Sequence, residues 1–324
     1  MSIKQRIDQT KRYYKRNGFG KTAVAVTERL FTKENPEFAY AAPTGEELAR
    51  QKDADPGDGP KISVLVPAFE TKEKYFIELI DCMLRQTYSN WELIIADASA
   101  EKKLSSLVIE DPRIKYIELP KNRGIANNTN DALKAATGDY IGLFDHDDLL
   151  HPAALYEVMR TIENTGADFV YTDETTFHNT PKDAYLPHFK PDFAPDTLCS
   201  SNYVCHLLAV RRELMEAVGG ERSEFDGSQD HDLMLRLSEH TDSIAHLPMI
   251  CYSWRTVGTS ASHTNLMRCM LASCRATEEH MARRGYPVKA VPDRDVLRLT
   301  YEIPRALRVE AFVDATNEAC LTDL

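Results

Sequence analysis

From Lys61 to Thr172 the chain repeats one pattern: a short apolar, β-branched run, a polar turn, then a stretch with helical spacing. The runs at residues 62–66, 91–96, 114–119, 140–144 and 169–172 read as strands. Residues 72–86, 124–136 and 152–164 read as helices, the last with Pro152 in its first turn. Such alternation argues for an α/β fold with a doubly wound, mostly parallel sheet flanked by helices, whose ligands sit beyond the carboxyl ends of the strands. The polar residues of interest fall at those ends.

The clearest case is Tyr140-Ile141-Gly142-Leu143-Phe144, which runs directly into Asp145-His146-Asp147-Asp148. Carboxylates cannot be buried unpaired, so this strand must leave the sheet here. Repulsion among the three acids calls for a cation. Hard oxygen ligands favour Mg2+ or Mn2+, which keeps open positions for the phosphates of a nucleotide. An acidic turn capping the next helix is the plainer reading of the same residues. After the first strand come Pro67, Ala68, Phe69 and Glu70; after the second, Asp97; after the third, Asn122-Arg123-Gly124, with Asn127, Asn128 and Asp131 on the helix that follows. Phe69 suits stacking on a base, Asp97 suits the imide N–H of a pyrimidine, and Arg123 with the amides around Gly124 suits a pyrophosphate at a helix N-terminus. Asp and Asn in these positions also serve as helix caps.

The second half is less regular. Tyr171-Thr172-Asp173-Glu174 brings another pair of acids, followed by a Pro-rich connection at 187–195, a strand at 202–210 and a helix at 211–218 closed by Gly219-Gly220. Gly227-Ser228-Gln229-Asp230-His231-Asp232 then opens an amphipathic helix with Leu233, Leu235 and Leu237 on its apolar side. Asp230 reads either as an N-cap or as a general base kept ionised by the helix dipole and aimed at an acceptor hydroxyl. Further on, Tyr252-Ser253-Trp254-Arg255 leads into a small-residue loop ending at Ser262-His263, a make-up suited to closing over a phosphate. His263 is either a nitrogen ligand to the metal or a surface histidine. A long helix follows at 265–284; Cys269 and Cys274 lie five apart on it, which does not suit a shared metal.

Charge narrows the partners. A net charge of -11 argues against nucleic acid, whose backbone demands clustered Lys and Arg. Residues 1–33 have the opposite balance, nine cations facing two acids, with Ile3, Ile7, Tyr13, Tyr14, Val26 and Leu30 interspersed. Such an amphipathic segment can lie on an anionic leaflet, each basic residue contributing about 1 kcal/mol near the surface. A solvated basic arm, or a helix docked on the domain, fits equally. Residues 34–60, rich in Pro, Gly and acids, read as a linker. Seven cysteines without a C-x-x-C pair suggest neither a disulfide framework nor a zinc site, and no apolar run approaches the roughly 18 residues of a membrane span. The expectation is a cytoplasmic protein in three parts: a basic helical segment with its linker at 1–60, the α/β domain at 61–300 and a tail at 301–324.

Ile62-Ser63-Val64-Leu65-Val66-Pro67-Ala68-Phe69, Ala96-Asp97-Ala98-Ser99, Asn122-Arg123-Gly124, Asp145-His146-Asp147-Asp148 and Ser228-Gln229-Asp230-His231-Asp232-Leu233, taken together, resemble the family 2 glycosyltransferases of the GT-A fold. The likeness covers about residues 60–265, in the family's order. Lys190-Pro191-Asp192-Phe193-Ala194-Pro195-Asp196 and Tyr252-Ser253-Trp254-Arg255 are similar to stretches in bacterial members that build surface polysaccharide. The resemblance implies that Asp97 and the Pro67, Phe69, Glu70 turn hold the nucleoside, with Asp145 near the ribose; Arg123, Gly124, Asn128, Trp254 and Arg255 are the further candidates for the donor site. Asp147, with Asp145 and His263, would hold Mn2+ or Mg2+, and Asp230 would be the base. The implied activity is inverting transfer from a UDP- or dTDP-sugar to a saccharide acceptor on a polyprenyl lipid, at the inner face of the plasma membrane. Transfer straight to polyprenyl phosphate and an idle scaffold of the same fold are the rivals. Phe69-Glu70 departs from the Tyr-Asn of many members, and the Gln-x-x-Arg-Trp of processive synthases is missing. Tyr301-Glu302-Ile303-Pro304 matches the opening of the second domain in tandem members.

Overall fold

A computed structural model describes residues 43–256 and 266–302. Its sheet contains β1 (Ile62–Ala68), β2 (Trp91–Asp97), β3 (Ile114–Glu118), β4 (Tyr140–Leu143), β5 (Leu149–Leu150), β6 (Phe169–Phe177), β7 (Leu186–His188), β8 (Leu208–Arg211) and β9 (Ile244–Arg255). The strands lie in the order β3-β2-β1-β4-β8-β6-β9-β5, with β7 on β6. The expected parallel half is present: β2 and β4 flank β1 in parallel, and β3 adds to β2. Beyond β4 the sheet is mixed, because β8 runs antiparallel to both β4 and β6 while β6 and β9 are parallel.

Eight helices accompany these strands among the described residues: α1 (Gly45–Asp53), α2 (Glu73–Leu84), α3 (Ile125–Leu133), α4 (Ala154–Thr165), α5 (Pro195–Ser200), α6 (Arg212–Ala217), α7 (Gln229–Leu237) and α8 (Leu266–Arg283). A hairpin of β10 (Val288–Asp293) and β11 (Val296–Tyr301) follows α8. Both faces of the central strands are covered. Val64 and Val66 of β1 face a cluster with Phe76, Leu79 and Met83 of α2, whereas Leu65 joins Ile94, Ala132 and Leu233 on the other side. Strands enclosed on two sides read as continuous apolar runs rather than alternating ones, as β1 and β2 do.

Two expectations are corrected here. The stretch read as a linker contains α1, capped by Thr44, whose hydroxyl accepts the Glu47 N–H at 3.2 Å. Gln51 of α1 is buried; its amide donates to Glu157 at 2.8 Å and accepts the Thr87 hydroxyl at 3.0 Å, so the folded unit begins before residue 61. Residues 202–207, read as strand, have no regular structure until β8 begins.

The sheet's two ends treat acids differently. At the start of β2, Glu92 is buried yet satisfied: against the upward push of burial, Lys115, Ser63, Thr137 and Lys61 hold it down to about 2. At the opposite end the acids are less fully paired.

Candidate active site

Strand direction determines what meets at that end. Because β8 is antiparallel to β4 with Leu208 opposite Leu143, the residues just before β8 arrive where β4 terminates. Cys205 and His206 therefore meet Asp145. From the far side of the sequence, the first turn of α7 delivers Asp230. Asp145, Asp230, Pro67, Cys205, His206 and Glu221 are among the residues lining one small cleft of about 20 Å³. That is room for about one water molecule.

Asp230 is oriented at both oxygens. Oδ2 accepts the Asn202 side-chain amide at 2.9 Å and the Cys205 thiol at 3.3 Å, and Oδ1 accepts the His231 N–H at 2.9 Å. The helix itself is anchored by Asp232, which is fully buried and paired with Arg222 and Arg236. Arg236 also donates to the carbonyls of Val218 and Gly220, at 2.7 and 2.8 Å, which fixes the Gly219-Gly220 turn ahead of Glu221.

Residues 202–207 depend on a buried lysine. Lys190 Nζ donates to the carbonyls of Val204, at 2.6 Å, and His206, and lies 3.3 Å from Glu174. His206 stacks on Tyr252 with ring centres 4.7 Å apart, and its Nε2 lies 3.6 Å from Asp145.

The acidic run after β4 divides into two roles. Asp148 is fully buried and accepts the Tyr252 hydroxyl and the Arg255 N–H, both at 2.6 Å. Burial, then Asp145 and Asp147, push its carboxyl well above the usual range. Tyr252 also accepts the Asp145 N–H at 3.2 Å, joining β9 to the end of β4. Asp145 and Asp147 are only partly buried. Burial and then Asp145 raise Asp147, with His146 opposing.

Several expected donor contacts are otherwise engaged. Arg255 is 1% exposed, held between the rings of Tyr75 and Phe177, and bonded to Glu78 at 2.7 Å and to the Asp147 carbonyl. Its donors and both faces are thus engaged within the fold. Trp254 is partly buried against the core. The start of α3 is also taken: Asp226 accepts the Ala126 N–H at 3.2 Å, while Arg123 pairs with Asp131. Gly124 has φ +92°, and a Cβ there would lie 2.0 Å from Asp226 Oδ2, so this turn is closed by a carboxylate where a pyrophosphate was expected. Asn128 is buried, accepting the Arg123 N–H at 3.3 Å and donating to Asn122 at 2.9 Å, and braces the loop. Asp97 is fully enclosed, accepting from Ser99 N–H and hydroxyl and from the Tyr116 hydroxyl; a base edge reaches it only if Tyr116 turns away. Glu70 braces the same corner through Ser99 and Ala100. Phe69, by contrast, is 44% exposed at the end of β1 and open to stacking.

His263 lies outside the described residues. Among those described, no three His, Cys, Asp or Glu side chains converge as a metal site. Asp145 and Asp147 nonetheless supply hard oxygen donors at the end of β4, the ligand type a divalent Mg2+ or Mn2+ ion takes.

Glu221, Asn202 and Cys205 were not read as site residues, and Lys190 stood in its Pro-rich stretch without a role; the sequence signal beside Glu221 is the Gly219-Gly220 turn. Glu221 is buried, and its carboxyl is pushed up to about 8, by burial first and then by Asp230 and Asp145. From the ordinary value of 4.5 up to about 8, the folded chain keeps a proton that the unfolded chain releases, so stability falls as pH rises through that window. Glu221→Gln is expected to raise the melting temperature at about pH 8 and leave it unchanged at about pH 4, in thermal scans followed by circular dichroism.

Residues 63–218 match the model of glycosyl transferase family 2. The O-antigen biosynthesis protein RfbC of Myxococcus xanthus is 35% identical over 77% of this chain and 21% of its own length. The chain spans about a quarter of the curated relatives it matches. A structure of S. aureus TarS in complex with UDP-GlcNAc superposes with a TM-score of 0.58 at 17% identity, covering 68% of this chain and 66% of that one. A mannosyltransferase from Pyrobaculum calidifontis, solved with GDP-Man and Mn2+, gives 0.50 at 16% identity over 81% and 74%. These likenesses extend the match to the fold.

Proposed function

Residues 63–218 are a glycosyl transferase family 2 domain, and from that premise we propose that the chain transfers a sugar from a nucleoside-diphosphate donor, UDP- or dTDP-linked, to a saccharide hydroxyl with inversion. The observation that carries this reading is the meeting of Asp145 and Asp230 in one cleft. Asp230 takes the proton of the acceptor hydroxyl as its oxygen forms a bond to the anomeric carbon. The bond from that carbon to the diphosphate breaks on the opposite face, and the electron pair leaves with the nucleotide. Asn202 and Cys205 hold the base in place for this transfer. Phe69 stacks on the donor base. Asp145 and Asp147 would hold Mn2+ or Mg2+. The ion, when bound, supplies Lewis-acid neutralisation of the leaving diphosphate.

Asp147→Ala is expected to lower transfer by ~10³-fold, equivalent to several kcal/mol of lost charge stabilisation, with folding intact. Product mass spectrometry over a donor panel, with and without EDTA, checks this; turnover near that of the parent removes Asp147 from the metal role. Calorimetry with nucleotides and Mn2+ separates the enzyme from an idle scaffold, which need bind neither.

The O-antigen biosynthesis protein RfbC, as a relative, supports a setting in polysaccharide synthesis, and the polyprenyl-linked acceptor is our proposal within it. Among the described residues no helix is long and apolar enough to cross a membrane. Residues 1–33 lie outside the described residues; their cationic, apolar pattern supports peripheral attachment to an anionic leaflet. Deleting them is expected to abolish cosedimentation with anionic liposomes. Unchanged cosedimentation would remove the anchor.

A further inference from the structure

The floor of the cleft carries an ionisable side chain that the proposed reaction does not use. Glu221 is only 6% exposed and lines the cleft beside Asp145, Asp230 and His206. Its backbone is fixed on both sides by one residue of α3: the Glu221 N–H donates to Asn130 Oδ1 at 3.0 Å, and its carbonyl accepts Asn130 Nδ2 at 2.7 Å. The side chain is thus presented from a rigid support. Its Oε2 has no hydrogen-bond partner among the described residues, and neither does Nδ1 of His206. A buried polar atom left without a partner is costly, and two on the lining of one cleft mark a place where a ligand's polar groups complete the bonding. The rest of the wall is mostly apolar, with Leu65, Ile125, Leu143 and Phe144, and includes Gln229 and Thr129, whose hydroxyl is a hydrogen-bonding neighbour of the Glu221 carboxyl group.

We infer that Glu221 reads the transferred sugar, its carboxyl group bonding one hydroxyl of the hexose carried by the nucleoside diphosphate and making that hydroxyl a requirement for binding. The inference rests on the transferase reading above. Three positions are fixed by that reading: the nucleoside near Phe69, the leaving diphosphate near Asp145 and the acceptor hydroxyl at Asp230. The sugar ring must lie between the last two, over the mouth of the cleft; the cleft itself, with room for about one water molecule, takes a single hydroxyl of that ring, and Glu221 lines it. A site built to bond a hydroxyl rejects the analogue lacking it far more strongly than an apolar wall rejects a change in size.

The test is calorimetry on the full chain with UDP, dTDP, UDP-glucose, UDP-galactose and mono-deoxy analogues of the hexose that binds best. The parent is compared with Glu221→Leu and Glu221→Gln. Affinity for UDP and dTDP alone is expected to be the same in all three proteins. Affinity for the nucleotide sugar is expected to fall by roughly 10–100-fold in Glu221→Leu and to recover in Glu221→Gln. The parent should also discriminate against one deoxy analogue, and Glu221→Leu should not. If Glu221→Leu binds free nucleotide and keeps the parent's affinity for the sugar and its deoxy analogues, the assignment of Glu221 is overturned and the transferase reading stands. If none of the nucleotides or nucleotide sugars binds the parent, both fall.

Discussion

Replacing Asp230 with Asn is expected to lower the transfer rate by ~10²–10⁴-fold while leaving nucleotide affinity close to that of the parent. The amide keeps the size of the carboxylate but cannot accept the hydroxyl proton, so the loss appears in the chemical step. Asn202 and Cys205 both donate to Oδ2, and the His231 N–H donates to Oδ1. An amide satisfies only one of these sides, which predicts a small loss of stability beside the large loss of rate. Single-turnover product analysis, with circular dichroism for the fold, separates the two. A variant within tenfold of the parent would show that the proton leaves by another route.

The largest stability effect is expected at Arg255. Its guanidinium lies between two aromatic rings, bonds Glu78 and the Asp147 carbonyl, and is 1% exposed. Removing one partner of a buried, hydrogen-bonded charge pair costs about 3–5 kcal/mol. For Arg255→Ala this corresponds to a melting temperature lower by roughly 6–20 °C in a domain of this size. Arg255→Met, which keeps most of the volume, should lose less. The sequence reading of Arg255 as a donor ligand makes the reverse prediction, a normal melting temperature with weakened nucleotide binding, so a thermal scan and a titration on one variant decide between them.

The contrast shows where local pattern carries information. The strands β1, β2, β3 and β4 were legible because burial on two faces demands unbroken apolar runs, and Asp145 followed as the first ionisable residue beyond such a run. The helix start carrying Asp230 was legible too, and the structure places Asp230 in its first turn. Arg255 misled because a cation next to small polar residues reads as exposed, while the rings that enclose it, Tyr75 and Phe177, belong to α2 and β6. The start of α3 misled for a similar reason: Asn122-Arg123-Gly124 has the composition of an anion site, but Asp226, distant in sequence, supplies the anion. Helix α1 was hidden by flanking Pro and Gly, although Thr44 followed by Glu47 is a capping pattern that identifies it. The β10–β11 hairpin runs through Tyr301, so the boundary placed there for the tail falls at the end of a strand.

Lys190 has a consequence for redesign. It grips residues 202–207 through the carbonyls of Val204 and His206, groups that every amino acid possesses. The loop's path is therefore insulated from the identity of its side chains. Libraries that randomise position 206 while retaining Lys190, Glu174 and the Asp230 partners Asn202 and Cys205 can reshape the wall of the cleft on a constant frame, whereas diversifying Lys190 itself would sacrifice the frame before any new preference emerged.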